Sequence, residues 1–188
     1  EDVQKVRVFE NNKNIVRIDY NDKVNPIREE TYKKINLKKY DCVVFSDYNK
    51  GFVSDQVIKY VVKNYNGLIF VDSKKTKLDC YERCIIKINE FENSLVESFP
   101  NKYDLIVTLG KDGAKWKNKS FDPYPCEEVK DICGAGDAFF VSFIVSFLQN
   151  KNFERSIKVA NCCATEVLQH VGNYFVTPRQ FNSAMNKF

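Results

Sequence analysis

Short apolar runs separated by segments with helical spacing are the feature that most constrains how this chain can fold. Four of these runs occupy residues 42–45, 68–71, 84–88 and 105–108. Runs of this length, rich in Val, Ile and Leu, are typical of strands buried in a parallel sheet. Between the first two, Val57, Ile58, Val61 and Val62 follow helical spacing. The alternation predicts an α/β fold, a Rossmann-like and mostly parallel sheet with helices on both faces.

The two ends of the chain carry different patterns. Residues 6–9 and 15–20 alternate apolar and polar side chains around an Asn-rich turn, which predicts a β-hairpin with one solvated face. Pro26 suits a first helical turn, so we predict a helix from there to about Leu37. Further predictions are a strand at 114–117, two long helices after Gly134, and caps at Ser54, Asn89 and Thr177. We divide the chain into a hairpin lid, 1–24, and an α/β domain, 25–188.

Charge and cysteine usage limit the class of protein. The 29 basic and 25 acidic residues leave a net charge of +4, and the basic residues are scattered. We therefore expect no nucleic-acid partner. No stretch approaches the ~20 apolar residues of a membrane span, and the first residues do not resemble a signal peptide. Seven cysteines without a CxxC pair predict reduced core residues in a cytoplasmic protein.

The strongest local signal is the run from Asp131 to Asp137, Asp-Ile-Cys-Gly-Ala-Gly-Asp, which precedes an apolar helix. Its small residues leave backbone N–H groups unshielded at a helix N-terminus, which is a phosphate site. Asp137 stands beside that site and could accept a proton from an attacking hydroxyl. The alternative is a tight loop followed by an aspartate that only complements the helix dipole.

The run also resembles the D-x-x-G-A-G-D signature of the ribokinase-like (PfkB) carbohydrate kinases, and every fixed position matches. The resemblance implies a ribokinase-like fold. It also implies that Asp137 is the catalytic base, while Gly134, Ala135 and Gly136 form the anion hole for the phosphoryl group. Positioning and charge stabilisation are most of what phosphoryl transfer needs.

Other segments resemble this family in the same order along the chain. Residues 108–113 match its T-x-G-x-x-G element, which places Thr108, Gly110 and Gly113 along the ATP. Asn161 matches an asparagine beside the adenine, and Gly172 matches a late loop near the nucleotide. The resemblance further implies a monovalent cation, such as K⁺, bound by oxygens of Asp131 and Ile132. Read without the family, these segments are a turn between strands and helix packing.

The family's N-x-x-E motif, which organises Mg²⁺ near the phosphates, is only half matched. Glu90 occupies the glutamate position and is expected to bind Mg²⁺ through water. The asparagine position holds Lys87, and Asn89 is displaced by two residues. A lysine at this place could contact phosphate.

One branch of the family fits best. Residues 46–51, Ser-Asp-Tyr-Asn-Lys-Gly, resemble the S-D-Y-x-K-G segment of heptose-7-phosphate kinases. This assigns Asp47 and Lys50 to the sugar substrate, past the end of a strand where ligands bind in such sheets. The hairpin resembles the lid of that branch, with Arg17 and Asp19 near its end, and implies a homodimer through residues 5–20.

We therefore predict an ATP-dependent kinase acting on a sugar or sugar phosphate. Nothing here matches the family's first segment, which contains part of the sugar site, so we expect the sugar pocket to be incomplete in these 188 residues. One alternative is a non-catalytic relative that binds nucleotide or a partner chain. Another is membership of a bifunctional protein with a nucleotidyltransferase domain beyond Phe188.

Overall fold

A computed structural model of the chain describes residues 3–10, 13–20 and 22–188. It contains eight strands and six α-helices in the described residues. In chain order these are β1 Gln4–Glu10, β2 Lys13–Tyr20, α1 Glu29–Tyr32, β3 Cys42–Asp47, α2 Asp55–Asn64, β4 Leu68–Ser73, β5 Ile85–Asn89, α3 Glu90–Ser94, β6 Asp104–Thr108, β7 Ala114–Trp116, β8 Lys119–Phe121, α4 Ala135–Asn150, α5 Phe153–Leu168 and α6 Pro178–Lys187.

Strands β3 to β8 form a six-stranded sheet in sequence order. The first four strands are parallel, and β7 and β8 extend the sheet as an antiparallel hairpin. The prediction of a mostly parallel α/β sheet is thus confirmed, although β8 was missed because its three residues carry no apolar run.

The sheet is buried on both faces, as the apolar runs predict. In β4, Ile69 and Val71 pack into a cluster with Ile58 of α2. Phe70, between them, points to the opposite face and contacts Phe143 of α4 edge to face, with 6.2 Å between the ring centroids. Helices α2 and α4 therefore cover opposite faces of one sheet.

Parallel register brings the carboxyl ends of the strands to one edge. Asp47 of β3 lies opposite Ser73 of β4, and Asp72 of β4 lies opposite Lys87 of β5. Asn89 of β5 lies opposite Thr108 of β6 in the same way. Residues far apart in sequence thus meet at this edge, where open α/β sheets bind ligands.

The hairpin of β1 and β2 forms a separate two-stranded sheet. Its strands match the predicted alternation, while residues 11 and 12 of the predicted turn lie outside the described residues. Val24 donates its N–H to Lys50 O at 2.8 Å, which joins the end of the hairpin segment to the loop after β3. The domain boundary at residue 24 stays a prediction.

The predicted helix from Pro26 to Leu37 is wrong for most of its length. Only α1 is α-helical, and a short 3₁₀ turn follows at Leu37–Lys39. The segment before α1 runs extended instead, because Ile27 donates its N–H to Phe52 O at 3.1 Å. A tertiary contact with the loop after β3 overrides the preference of Pro26 for a first helical turn.

The predicted helix caps are confirmed. Ser54, Asn89 and Thr177 each accept a hydrogen bond at the side-chain oxygen from the backbone N–H three residues later. Asn89 and Thr177 complete capping boxes with Glu92 and Gln180. In the part of the chain that the structure describes, no helix is both long enough and apolar enough to cross a membrane.

All seven cysteines are free thiols. Burial raises the pKa of Cys80 to about 11 and the pKa of Cys84 to about 12. Thiols with such pKa values remain protonated and unreactive at neutral pH. The interpretation as small core residues is confirmed for four of them and does not hold for the partly exposed Cys42, Cys126 and Cys133.

Candidate active site

The run from Asp131 to Asp137 forms a tight turn into α4. Gly134 caps the helix in the left-handed region, with φ of 81°, a conformation that favours glycine. Ala135, Gly136 and Asp137 form the first helical turn, whose N–H groups have no partner within the helix. Asp137 is exposed, so its carboxylate is accessible beside those donors. This end of α4 suits an anion and a proton acceptor together.

Asp131 holds this turn in place. Its Oδ1 accepts a hydrogen bond from Cys133 N at 3.0 Å, and its Oδ2 accepts one from Gly172 N at 2.9 Å. These backbone hydrogen bonds keep the pKa of the Asp131 carboxyl below its usual value. The carboxylate therefore joins the turn at 131–137 (the anion turn) to the loop that contains Gly172, and the two bonded residues are 41 positions apart.

A small polar cavity of about 20 Å³ lies between α4 and the ends of two strands. Its lining residues are Ser46, Asp47, Tyr48, Asp72, Lys74 and Asp137. Asp137 therefore faces the carboxyl ends of β3 and β4, where the sequence places the acceptor site.

Asp47 is one of the most buried polar side chains, at 2% exposure. It accepts hydrogen bonds from Tyr81 Oη at 2.5 Å and Asn49 N at 2.9 Å, and Lys75 Nζ lies 3.2 Å from Oδ2. Burial, followed by the hydrogen bond to Asp47, raises the pKa of Tyr81. Asp47 thus fixes the start of the loop at 48–53, while Lys50 on that loop is partly exposed and forms an ion pair with Asp22.

Two lysines lie at this edge. Lys87 was predicted only as a lysine that could contact phosphate, and Lys74 was not among the predicted site residues. Lys87 is 4% exposed, and its Nζ lies 2.8 Å from Asp72 Oδ2. Lys74 forms an ion pair with Glu92 and lies 3.8 Å from Asp72 Oδ1. The sequence signal for Lys87 is a charged residue inside the apolar run 84–88, which is unusual for a strand buried on both faces.

On the other side of the sheet edge, two of the predicted nucleotide residues contact the segment after β8. Asn161 of α5 is buried, and its Nδ2 donates to Asp122 O at 2.8 Å. Gly113, with φ of 82°, packs so closely that an added Cβ would lie 2.8 Å from Pro123 N. Asn161 and Gly113 thus position one segment from two sides.

Thr108 and Gly110 lie apart from that contact. Thr108 ends β6 and its Oγ1 donates to Ile88 O at 3.5 Å, and Gly110 opens the following 3₁₀ turn with space around it.

Two larger cavities flank this region. One, of about 690 Å³, is lined by Asn161 and Lys158 of α5 together with residues 119–125. The other, of about 620 Å³, opens beside Gly134 and Asp137 and continues over the apolar residues Val141 and Val145 of α4. Both volumes suit small molecules.

Glu90, the predicted Mg²⁺ residue, is the first residue of α3 and is exposed. In the part of the chain that the structure describes it has no hydrogen bond or ion pair, so its carboxylate is free to bind a ligand. Its neighbour Glu92 is used instead for the capping box and the ion pair with Lys74. Among the described residues, no group of three His, Cys, Asp or Glu could hold a metal ion without further ligands.

The model of the pfkB family carbohydrate kinases matches residues 82–180, a range from just before β5 to the start of α6 that includes the anion turn. The chain belongs to the pfkB family of carbohydrate kinases. This match confirms the predicted family.

Curated relatives of this pfkB chain include the bifunctional protein HldE of Blochmanniella floridana, at 25% identity over 99% of the chain and 44% of the relative. The bifunctional protein HldE of a Nitratiruptor species is 29% identical over 90% of the chain and 42% of the relative. The chain therefore spans less than half the length of these relatives.

Solved structures with the same fold include Arabidopsis thaliana ribokinase complexed with ribose and ATP, with a TM-score of 0.71 at 17% identity. Escherichia coli phosphofructokinase-2 in complex with potassium also has a TM-score of 0.71, at 13% identity. The pfkB chain is covered to 93% and 92% in these comparisons, and it covers 66% of each neighbour. These similarities show the ribokinase-like fold.

Proposed function

We propose that this chain transfers the γ-phosphoryl group of ATP to a hydroxyl of a sugar or sugar phosphate. The observation that carries the proposal is the position of Asp137. Its exposed carboxylate lies in the first turn of α4, next to backbone N–H groups that have no hydrogen-bond partner within the helix, and faces the cavity at the strand ends. A proton acceptor and an anion site are thereby adjacent.

In this proposal Asp137 takes the proton of the attacking hydroxyl. The backbone at Gly134, Ala135 and Gly136, with the positive end of the α4 dipole, stabilises the charge on the phosphoryl group during transfer. Asp131 keeps the turn in the required shape through its hydrogen bonds to Cys133 and Gly172.

For the nucleotide, we propose that ATP lies along the segment after β8. Asn161 and Gly113 support its wall, and Thr108, Gly110 and Gly172 lie near the phosphates. The cavity beside Asn161 and the solved ribokinase complexed with ATP support this placement.

The residues present fit Mg²⁺ in the form that phosphoryl-transfer sites use. Mg²⁺ commonly keeps several waters and is bound by one or two carboxylates together with substrate phosphates. Glu90 would hold it through water, and bound Mg²⁺ supplies charge neutralisation at the phosphates. Lys87 cannot be a ligand, because an ammonium group has no lone pair to give. For K⁺ we propose the oxygens of Asp131 and Ile132.

The acceptor is proposed to be heptose 7-phosphate or a similar sugar phosphate. Lys50, partly exposed on the loop after β3, would contact it, and Asp47 would hold that loop. The hairpin covers the same loop, since Lys5 Nζ lies 5.2 Å from the Tyr48 ring centroid. The curated relatives named bifunctional protein HldE support a substrate of this class.

The test is ADP formation from ATP with a panel of sugars and sugar phosphates, including heptose 7-phosphate. We expect ADP only when an acceptor is present, with a sugar phosphate preferred over its unphosphorylated form. ATP binding without acceptor-dependent ADP formation would instead favour a nucleotide-binding relative without transferase activity.

We also propose that two copies of the chain associate through the hairpin. Strand register places Val6, Val8, Val16 and Ile18 on one face, and these side chains are 39–44% exposed. Lys5, on the opposite face, points to the body of the protein. A two-stranded sheet is marginally stable alone, so an exposed apolar face of this kind favours burial against a second copy.

We expect Val16→Lys to weaken the dimer at least about a hundredfold, because two-fold symmetry buries the new charge twice. Light scattering across a range of protein concentrations measures the dissociation constant of the dimer. Arg7→Ala, on the opposite face, is the control and should leave the dimer intact. A Val16→Lys variant as dimeric as the wild type would contradict the proposal.

A further inference from the structure

We propose that Lys87 is a positioning residue for phosphoryl transfer, a fixed positive charge beneath the anion-binding turn of α4. The inference rests on the proposed function and adds to it a residue that binds no sugar and holds no metal. Its role is to strengthen the attraction of the turn for the phosphate groups of ATP.

The Lys87 ammonium group lies against the first turn of α4. Lys87 Nζ lies 3.5 Å from the place where a Cβ on Gly136 would be, which is ordinary van der Waals contact with the first turn of α4. It also lies 6.0 Å from the ring centroid of Phe140, one turn further along the helix. With 4% exposure, the group is shielded from water on the side of the sheet. Its charge is therefore weakly screened at the anion turn.

The Lys87 charge lies in an electrostatically unfavourable place. Cations are favourable at the C-terminus of a helix and unfavourable at its N-terminus, where the dipole is already positive. Lys87 occupies the unfavourable end and is buried, which costs further free energy unless the charge is compensated. An arrangement that costs stability in the empty protein is expected where a ligand later supplies the missing negative charge.

The protein compensates the Lys87 charge only in part. Lys87 Nζ donates one hydrogen bond to Asp72, to Oδ2 at 2.8 Å. The other carboxylate oxygen, Oδ1, is buried and has no hydrogen-bond donor among the described residues. Lys74, 3.8 Å from that oxygen, is engaged by Glu92 instead. Asp72 thus holds the ammonium in place without the full set of bonds expected of a purely structural pair.

The experiment must separate this role from the loss of a buried ion pair. Lys87→Met alone leaves the Asp72 carboxylate buried without its partner, and it could destabilise the chain for that reason. The double variant Lys87→Met with Asp72→Asn replaces both charges by neutral groups of similar size. Lys87→Arg keeps the charge, and Lys77→Met makes the same substitution at an exposed lysine paired with Glu97.

The measurement is the affinity of each variant for ATP and for adenosine, by calorimetry on the full chain. The ratio of the two affinities is a property of the folded molecules alone, so partial unfolding does not imitate the effect. We expect the double variant to lose about tenfold or more in ATP affinity, because it removes the positive member of a buried ion pair, the member that lies against the anion-binding turn. Adenosine binding should be unchanged. Lys87→Arg should retain most of the ATP preference, and Lys77→Met all of it.

A double variant with the ATP-to-adenosine ratio of the wild type would overturn the role of Lys87. That outcome leaves the proposed function standing if the wild type still transfers phosphoryl groups. Conversely, the preference for ATP over adenosine could depend on Lys87 while the wild type forms no ADP with any acceptor. That outcome would refute only the transferase proposal. A wild type that does not bind ATP would overturn both.

Discussion

Asp137→Asn should reduce acceptor-dependent ADP formation by about a hundredfold or more while leaving ATP binding close to that of the wild type. The amide has nearly the same shape as the carboxylate but cannot accept the proton of the attacking hydroxyl, and general-base catalysis typically contributes ~10²–10⁴-fold. Initial rates of ADP formation with the best sugar phosphate, together with an ATP titration of the same variant, measure the two quantities.

Asp137 also has a structural effect that the measurement must separate from catalysis. As an acid in the first turn of α4 it complements the helix dipole, which is worth about 0.3–1 kcal/mol. Glu30→Gln removes an acid from the first turn of the exposed α1, outside the proposed site, and serves as the control. We expect both variants to lose similar, small amounts of stability, and only Asp137→Asn to lose the rate. A variant at 137 that keeps more than about a tenth of the wild-type rate would contradict a role as base.

Local sequence signals predicted most of the α/β framework. The apolar runs gave the strands β3 to β6 because a strand buried on both faces needs a continuous apolar stretch. The caps at Ser54, Asn89 and Thr177 were predictable because each depends on residues three positions apart. The helix expected after Pro26 failed because Ile27 bonds to Phe52, a partner 25 residues away that no local pattern reveals.

Site residues within one contiguous motif were predictable from the sequence. Contacts that depend on the alignment of neighbouring strands were less predictable. The turn from Asp131 to Asp137 was found as a unit in the sequence. The ion pair of Lys87 with Asp72, 15 residues apart, and the hydrogen bond of Tyr81 with Asp47, 34 residues apart, depend on how β3, β4 and β5 align. Burial of Asp47 is the clearest consequence, since its sequence position suggested a carboxylate accessible to substrate.

The predicted site residues separate into two physical groups. Asp47, Asp131 and Asn161 use their polar atoms on the protein itself, in hydrogen bonds that fix loops. Asp137 and Glu90 are exposed and free to meet ligands. We therefore expect the motif residues of the first group to shape the site, whatever ligands they also bind, and their replacement should affect stability and geometry together.

Gly113 offers the largest expected effect on stability. Its φ of 82° and ψ of −124° lie in a region that only glycine occupies readily. In addition, a Cβ at this position would collide with the backbone of residues 121–123, where Pro123 N is 2.8 Å away. We expect Gly113→Ala to lower the free energy of unfolding by about 3 kcal/mol or more, since backbone strain and overpacking act together.

Gly110 provides a matched comparison in the same turn. It also has a positive φ, of 59°, but no atom lies within 4 Å of an added Cβ. Gly110→Ala should therefore lower the free energy of unfolding only by the strain of a left-handed conformation, about 1 kcal/mol. Urea unfolding of both variants, followed by circular dichroism, measures the difference. Equal losses would mean that conformation alone matters at Gly113. A much larger loss at 113 would mean that this glycine is required by its backbone conformation together with its close contact to the segment after β8, which Asn161 holds from the other side.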